Sequence, residues 1–320
     1  MISDAYGASP TLLGLSTAGL SVVVGLGFLL QRIPSRAEAR RLAWGLLLLS
    51  CAASLLATWH EPPGLRMLIP VAATLLALKS LVAVESRRRR PMPLGPWLVF
   101  CLGWPGMQPR RFTAPRRELR GVAALMRWGS LWIVVGLGLC ALSRVAWESS
   151  RSGVATSVLL LPGISLVVHF GLLHWLTALW RANGVEVSAL FRAPLLSRDL
   201  QEFWGRRWNL AFTEMTTQVV LRPLRRRIGV KAALFGSFLF SGLLHEMAIS
   251  LPVGAGYGLP TAYFALHGGL MLLEPGLVTR GWLRGWRGRV WTLFWVIAPL
   301  PALFHPPFVR EVFWPLIGIS

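Results

Sequence analysis

The sequence predicts an all-α, polytopic integral membrane protein with about eight transmembrane helices and amphipathic helices on the cytoplasmic side. Three observations predict it. Only 14% of the 320 residues are charged, against about a quarter in soluble domains. Apolar runs near 20 residues recur along the chain, the length that crosses a hydrocarbon core. The basic residues alternate between connections, as they do when charge sets membrane topology.

The runs lie at roughly 8–31, 42–59, 67–84, 124–143, 154–180, 232–253, 257–274 and 290–309. The first follows a start whose only charged side chain is Asp4, so it reads as a membrane helix rather than a cleavable signal peptide. The last holds Pro299, Pro301, Pro306 and Pro307, which predicts a broken or partly interfacial span. Odd connections carry 27 of the Lys and Arg residues, whereas even ones, together with the tail, carry four. That split predicts both termini outside the cytoplasm and odd connections inside. It also accounts for the net charge of +20 without nucleic acid as a partner. The 31 arginines against Lys79 and Lys231, among abundant Ala, Leu and Gly, resemble the coding bias of a GC-rich bacterial genome. The expected location is therefore a bacterial cytoplasmic membrane.

No polar segment is long enough to fold alone, so residues 1–320 are expected to form one membrane-embedded domain. Cys51, Cys101 and Cys140 form no C-x-x-C pair, which signals neither a disulfide framework nor a zinc site. Residues 91–109, apolar but broken by five prolines and three glycines, should lie in the interface or re-enter against protein. Lys79 is expected to snorkel to the cytoplasmic surface, and the arginines at 87–90 to mark topology and meet anionic headgroups. No internal repeat supports an inverted-repeat transporter.

Two constellations carry chemistry. The first is FLFSGLLHEMAIS, residues 238–250. His245 lies 13 residues beyond Ala232, roughly 20 Å into the membrane, where an ionisable group marks a functional site. A zinc-protease motif would need a second histidine at position 249, which is Ile; no metal is expected. Ser237, Ser241 and Gly242 share a face with His245. That stripe reads either as helix packing, with serines bonding back to their own backbone, or as a narrow channel ending at an imidazole. A neutral imidazole there can accept a proton, as transfer of an acyl group from a thioester to an alcohol requires. Ser241 as a covalent nucleophile is the alternative. Glu246 points about 100° away, towards a neighbouring helix or a backbone donor.

The second is LQEFWGRRWNL, residues 200–210. Phe203, Trp204 and Trp208 offer flat apolar surfaces for the interface or an adenine ring. Arg206 and Arg207 offer guanidinium forks for phosphates, and Asn209 both a donor and an acceptor. An interfacial helix with snorkelling arginines explains the same residues. His169, His174 and His267 either line the site or are hydrogen-bonded structural groups.

FWGRRWNL followed some thirty residues later by FLFSGLLHE resembles the wax synthase-like branch of the membrane-bound O-acyltransferases, over about residues 195–275. The resemblance implies that fold and that His245 is the catalytic histidine, with Asn209 the second signature polar residue. It implies an acyl-CoA:alcohol O-acyltransferase, a wax synthase-like activity of lipid metabolism, with acyl-CoA as co-substrate and no other cofactor. Trp204, Arg206, Arg207, Trp208, Ser237, Ser241 and His267 are the expected substrate-binding residues. The acceptor stays open among long-chain alcohols, sterols and secondary-metabolite hydroxyls. A transporter or lipid-binding protein using the same cavity without chemistry is the reading from a different class.

Overall fold

The computed structural model describes residues 5–87 and 90–319, and the described residues contain helices and no strand. Ser3 and Ser320, where the termini would be labelled, lie outside them, as do Arg88 and Arg89 of the arginine run. Helices α1 (Pro10–Leu30), α2 (Arg36–Ala57) and α3 (Pro63–Ser86) come first. Ser9 opens α1 by accepting from the Leu12 N–H, and Ser35 opens α2 by accepting from the Glu38 N–H. Each hydroxyl satisfies an amide that the helix itself leaves unpaired. A short helix α4 (Leu94–Gly103) follows, then α5 (Val122–Ser150) and α6 (Gly153–Ala182). The connection after α6 supplies α7 (Leu200–Glu202), α8 (Leu210–Thr216) and α9 (Arg222–Ile228). The C-terminal part comprises α10 (Val230–His245), α11 (Leu259–Thr279) and α12 (Trp286–Ile297).

Six described helices are long and apolar enough to cross a membrane, and seven if the pair Trp286–Leu303 and Pro306–Ile317, bent by 72°, forms one span. This falls short of the eight the sequence predicts. The seventh predicted span, 257–274, is the one not counted: α11 is helical over 21 residues, but its buried face carries His267 and Glu274. The bend in the last span follows from its prolines, which break the i→i−4 ladder.

Small residues set the helix crossings. A Cβ on Gly136 of α5 would lie 2.6 Å from the Gly163 carbonyl of α6, and one on Gly242 of α10 would lie 2.8 Å from Thr261 Cα of α11. Both pairs therefore approach more closely than any residue with a side chain allows. Large apolar side chains such as Leu15, Leu48, Leu56 and Val134 stay exposed on the spans, as a lipid-facing surface requires.

The proline-rich segment folds against protein. Trp97 and Phe100 of α4 are fully buried, and the Trp97 indole N–H donates to the Val24 carbonyl at 3.0 Å. This corrects the expectation for Lys79, which does not snorkel. It is fully buried, its Nζ donating to the Gly106 carbonyl at 3.0 Å and lying 3.9 Å from the centroid of the Phe100 ring. The segment covers the end of α3 and supplies the ammonium with a carbonyl and a π-face in place of water.

Candidate active site

His245 is the last residue of α10, and a wider π-helical turn, Glu246–Ser250, follows it. Such turns recur at functional sites. The His245 Nδ1 lies 2.7 Å from the Ser241 carbonyl oxygen. A carbonyl can only accept, so Nδ1 carries the proton and the lone pair of the neutral ring sits on Nε2. Nε2 has no hydrogen-bond partner among the described residues. The ring packs 4.3 Å from Phe264 of α11 and 5.9 Å, edge-on, from Phe212 of α8.

The stripe before His245 is a packing face. Ser237, Ser241 and Gly242 are buried. The Ser237 hydroxyl donates to the Ala233 carbonyl at 2.9 Å and the Ser241 hydroxyl to the Ser237 carbonyl at 3.0 Å. His245 thus touches the backbone of Ser241 rather than its hydroxyl, and the nucleophile reading of Ser241 has no geometric support. Glu246 turns away as expected. Its Oε1 accepts from the Thr261 N–H at 3.0 Å, placing negative charge at the amide-rich start of α11.

The signature segment, residues 200–210, adjoins this neighbourhood: Phe212, just beyond it, packs against His245. Asp199 caps α7, a π-helical turn spans Phe203–Arg207, and Asn209 opens α8. Asn209 has left-handed backbone dihedrals, φ 43° and ψ 63°, a conformation that asparagine tolerates better than most residues. Its side chain accepts from the Phe212 N–H at 3.3 Å. Asn209 thereby orients the helix whose Phe212 abuts His245. Its amide NH₂ group makes no hydrogen bond among the described residues.

Trp204 and His267 meet directly. The Trp204 indole N–H donates to His267 Nδ1 at 3.1 Å. The same indole packs 5.8 Å from Phe264, the neighbour of His245. Because His267 Nδ1 accepts, its Nε2 carries the proton; that N–H is buried without a partner among the described residues. Trp208 faces elsewhere, stacked on Phe203 at 5.6 Å and edge-on to His169 of α6 at 5.6 Å. His169 sits in the π-helical turn Leu166–Leu172 and is hydrogen-bonded to the Ser165 hydroxyl at 3.0 Å. His174 Nδ1 is buried and makes no well-formed hydrogen bond among the described residues.

The two neighbouring arginines differ. Arg207 donates through Nε and Nη2 to Glu202 Oε1 at 2.8 and 2.6 Å, and through Nη1 to the Arg192 and Ala193 carbonyls. The backbone N–H of Arg198, with Arg207 adding to it against the cost of burial, holds the Glu202 carboxyl below its ordinary range. Arg206 is exposed and makes no ion pair among the described residues. Sequence reasoning pairs the two arginines as phosphate ligands; the fold commits one of them to its own loop.

Phe212, Phe264, Glu214 and Glu274 belong to this neighbourhood and escaped the sequence reading. Glu214 of α8 accepts from the Met107 N–H at 3.2 Å, tying α8 to the proline-rich segment, and burial raises its pKa. Phenylalanines carry no chemical signature, and these two carboxylates lie outside both motifs.

Residues 187–266 match the membrane bound O-acyl transferase family. Among curated relatives, the chain is similar to a protein named probable long-chain-alcohol O-fatty-acyltransferase 7 of Arabidopsis thaliana. The two are 29% identical over 40% of this chain and 42% of that one. It is similar to the long-chain-alcohol O-fatty-acyltransferase of Simmondsia chinensis, 34% identical over 27% of each chain. It is similar as well to acyl-CoA–sterol O-acyltransferase 1 of Arabidopsis thaliana, 37% identical over 20% of this chain and 21% of that one. The chain spans about two fifths or less of the length of these relatives, and the three are plant proteins. The matched stretch contains both motifs, and the chain resembles the wax synthase-like branch there.

Proposed function

We propose, from this resemblance to the membrane-bound O-acyltransferases, that the protein transfers an acyl group from acyl-CoA to the hydroxyl of a lipophilic acceptor, a long-chain alcohol first. One observation carries the reading. His245 donates through Nδ1 to the Ser241 carbonyl, which leaves Nε2 as a proton acceptor beside the signature segment.

The acceptor hydroxyl gives its proton to Nε2 as its oxygen attacks the thioester carbon. The tetrahedral intermediate collapses with cleavage of the C–S bond, and the CoA sulfur leaves with the proton returned by the imidazolium. No covalent acyl-enzyme is needed, consistent with a Ser241 hydroxyl directed at its own helix. The free NH₂ of Asn209 is available to a carbonyl or hydroxyl of substrate. Trp204 and Trp208 line the signature segment, and Arg206 is the cation available to CoA phosphates.

The decisive experiment is mass spectrometry of lipids from cells with and without the protein, fed fatty alcohols and sterols, followed by turnover of the purified protein. Long-chain esters that depend on His245 support the reading. Ester profiles identical with and without the protein would return it to a transporter or lipid-binding role. The sterol-named relative makes sterols the second acceptor class to test. The 27-to-four split of basic residues supports cytoplasmic odd connections and termini on the opposite side. Accessibility of cysteines introduced at the two ends tests this, and labelling of both from the cytoplasm would invert the assignment.

A further inference from the structure

We propose that Glu274 and His267 are positioning residues: one face of α11 holds the signature segment in register with His245. The proposal rests on the reading of His245 as the base.

Phe264, His267 and Glu274 recur at spacings of three and seven, within about 80° of one another around the helix. They span roughly 15 Å along it. Each makes a different contact. Phe264 packs 4.3 Å from the His245 ring. His267, fully buried, accepts the Trp204 indole N–H at 3.1 Å. Glu274, 3% exposed, accepts through Oε1 from the Leu200 N–H at 2.9 Å and through Oε2 from the Gln201 N–H at 3.2 Å. Leu200 and Gln201 open α7, the start of the signature segment, and their amides have no partner within the helix.

The same helix is fixed against α10. Gly268 lies where a Cβ would come within 3.0 Å of Phe238 Cβ, and Glu246 holds the N-terminal turn of α11. The segment that carries Asn209 and Trp204 is therefore referenced to His245 through α11, which adds to the packing of Trp204 on Phe238 of α10 at 5.9 Å. A buried carboxylate is costly, and this one makes no ion pair among the described residues. Its placement on two backbone amides at the motif's first turn gives it a geometric task. A displacement near 1 Å at a reacting centre costs on the order of 100-fold in rate.

The test pairs a structural readout with turnover, so that the register and the proposed function fail separately. Hydrogen exchange of the full-length protein in detergent should show Glu274→Ala releasing protection at residues 199–205, with Glu274→Gln intermediate because its amide keeps one accepting oxygen. Turnover per acyl-CoA-binding site should fall about 10- to 100-fold in Glu274→Ala. Trp204→Phe and His267→Leu should each impair turnover, and the double variant should be no worse than either. His267→Asn, which keeps an acceptor near Nδ1 and lacks the Nε2 donor, should recover turnover to within about threefold of wild type. Unchanged exchange over 199–205 in Glu274→Ala would overturn the proposal, as would deprotection with wild-type turnover per site. His267→Asn as impaired as His267→Leu, with His267→Gln active, would make His267 a substrate contact instead. A wild-type protein without any turnover would defeat the functional reading, while the exchange experiment still decided the register.

Discussion

Arg207→Ala and Arg206→Ala should have opposite phenotypes although the residues are neighbours. Arg207→Ala removes a forked interaction with Glu202 and two hydrogen bonds to the Arg192 and Ala193 carbonyls, both at 3.2 Å. The ion pair is partly exposed, its side chains 25% and 22% accessible, so it contributes about 1 kcal/mol. The two carbonyl bonds lie at the surface and add about 1 kcal/mol more between them. A loss of about 2 kcal/mol should lower the thermal midpoint by several degrees. Arg206 has no such partners, so Arg206→Ala should leave stability within about 0.5 kcal/mol. It should instead raise the KM for acyl-CoA about tenfold, the equivalent of about 1.4 kcal/mol of phosphate contact, with kcat little changed. Acidification probes the same clamp. Glu202 has its carboxyl held below the ordinary value of 4.5. Its contribution is therefore complete above that value and is lost as pH falls through the lower folded pKa. Thermal melts across pH and steady-state kinetics on purified variants supply both readouts. Arg207→Ala with a wild-type midpoint and a raised KM, beside a silent Arg206→Ala, would refute the division of labour.

The remaining predictions concern the base, the cap and the buried amine. His245→Ala should lose about 10²–10⁴-fold in turnover while still binding acyl-CoA. Glu246→Gln should mainly lower stability, because an amide caps α11 less well; turnover and binding assays with melts separate the two. Asn209→Gly should fold as well as wild type, since glycine adopts the left-handed φ freely. Asn209→Ala should be about 1 kcal/mol less stable. Equal activity losses in the two would assign the defect to the missing amide. Lys79→Ala should destabilise by about 3 kcal/mol, by opening a cavity and stranding the Gly106 carbonyl, whereas the exposed Lys231→Ala should be neutral by the same thermal assay.

The sequence by itself determined the helical class, most of the membrane spans and the two motifs, because these are written in hydropathy and in neighbouring residues. It also determined that Glu246 turns away from His245, since helical rotation alone separates consecutive side chains. Tertiary packing decided the rest. Lys79 reads as a snorkelling residue until the proline-rich segment folds over it. Arg207 equals Arg206 until the loop brings Glu202 and two carbonyls to one of them. The serine stripe reads either as a channel or as a contact face until Gly242 meets Thr261. The tautomer of His245 depends on its rotamer reaching the Ser241 carbonyl. In each case the deciding partner lies outside the motif or depends on side-chain geometry. Hydropathy and spacing record how a residue relates to its own helix, whereas burial and hydrogen bonding depend on what the folded chain brings beside it.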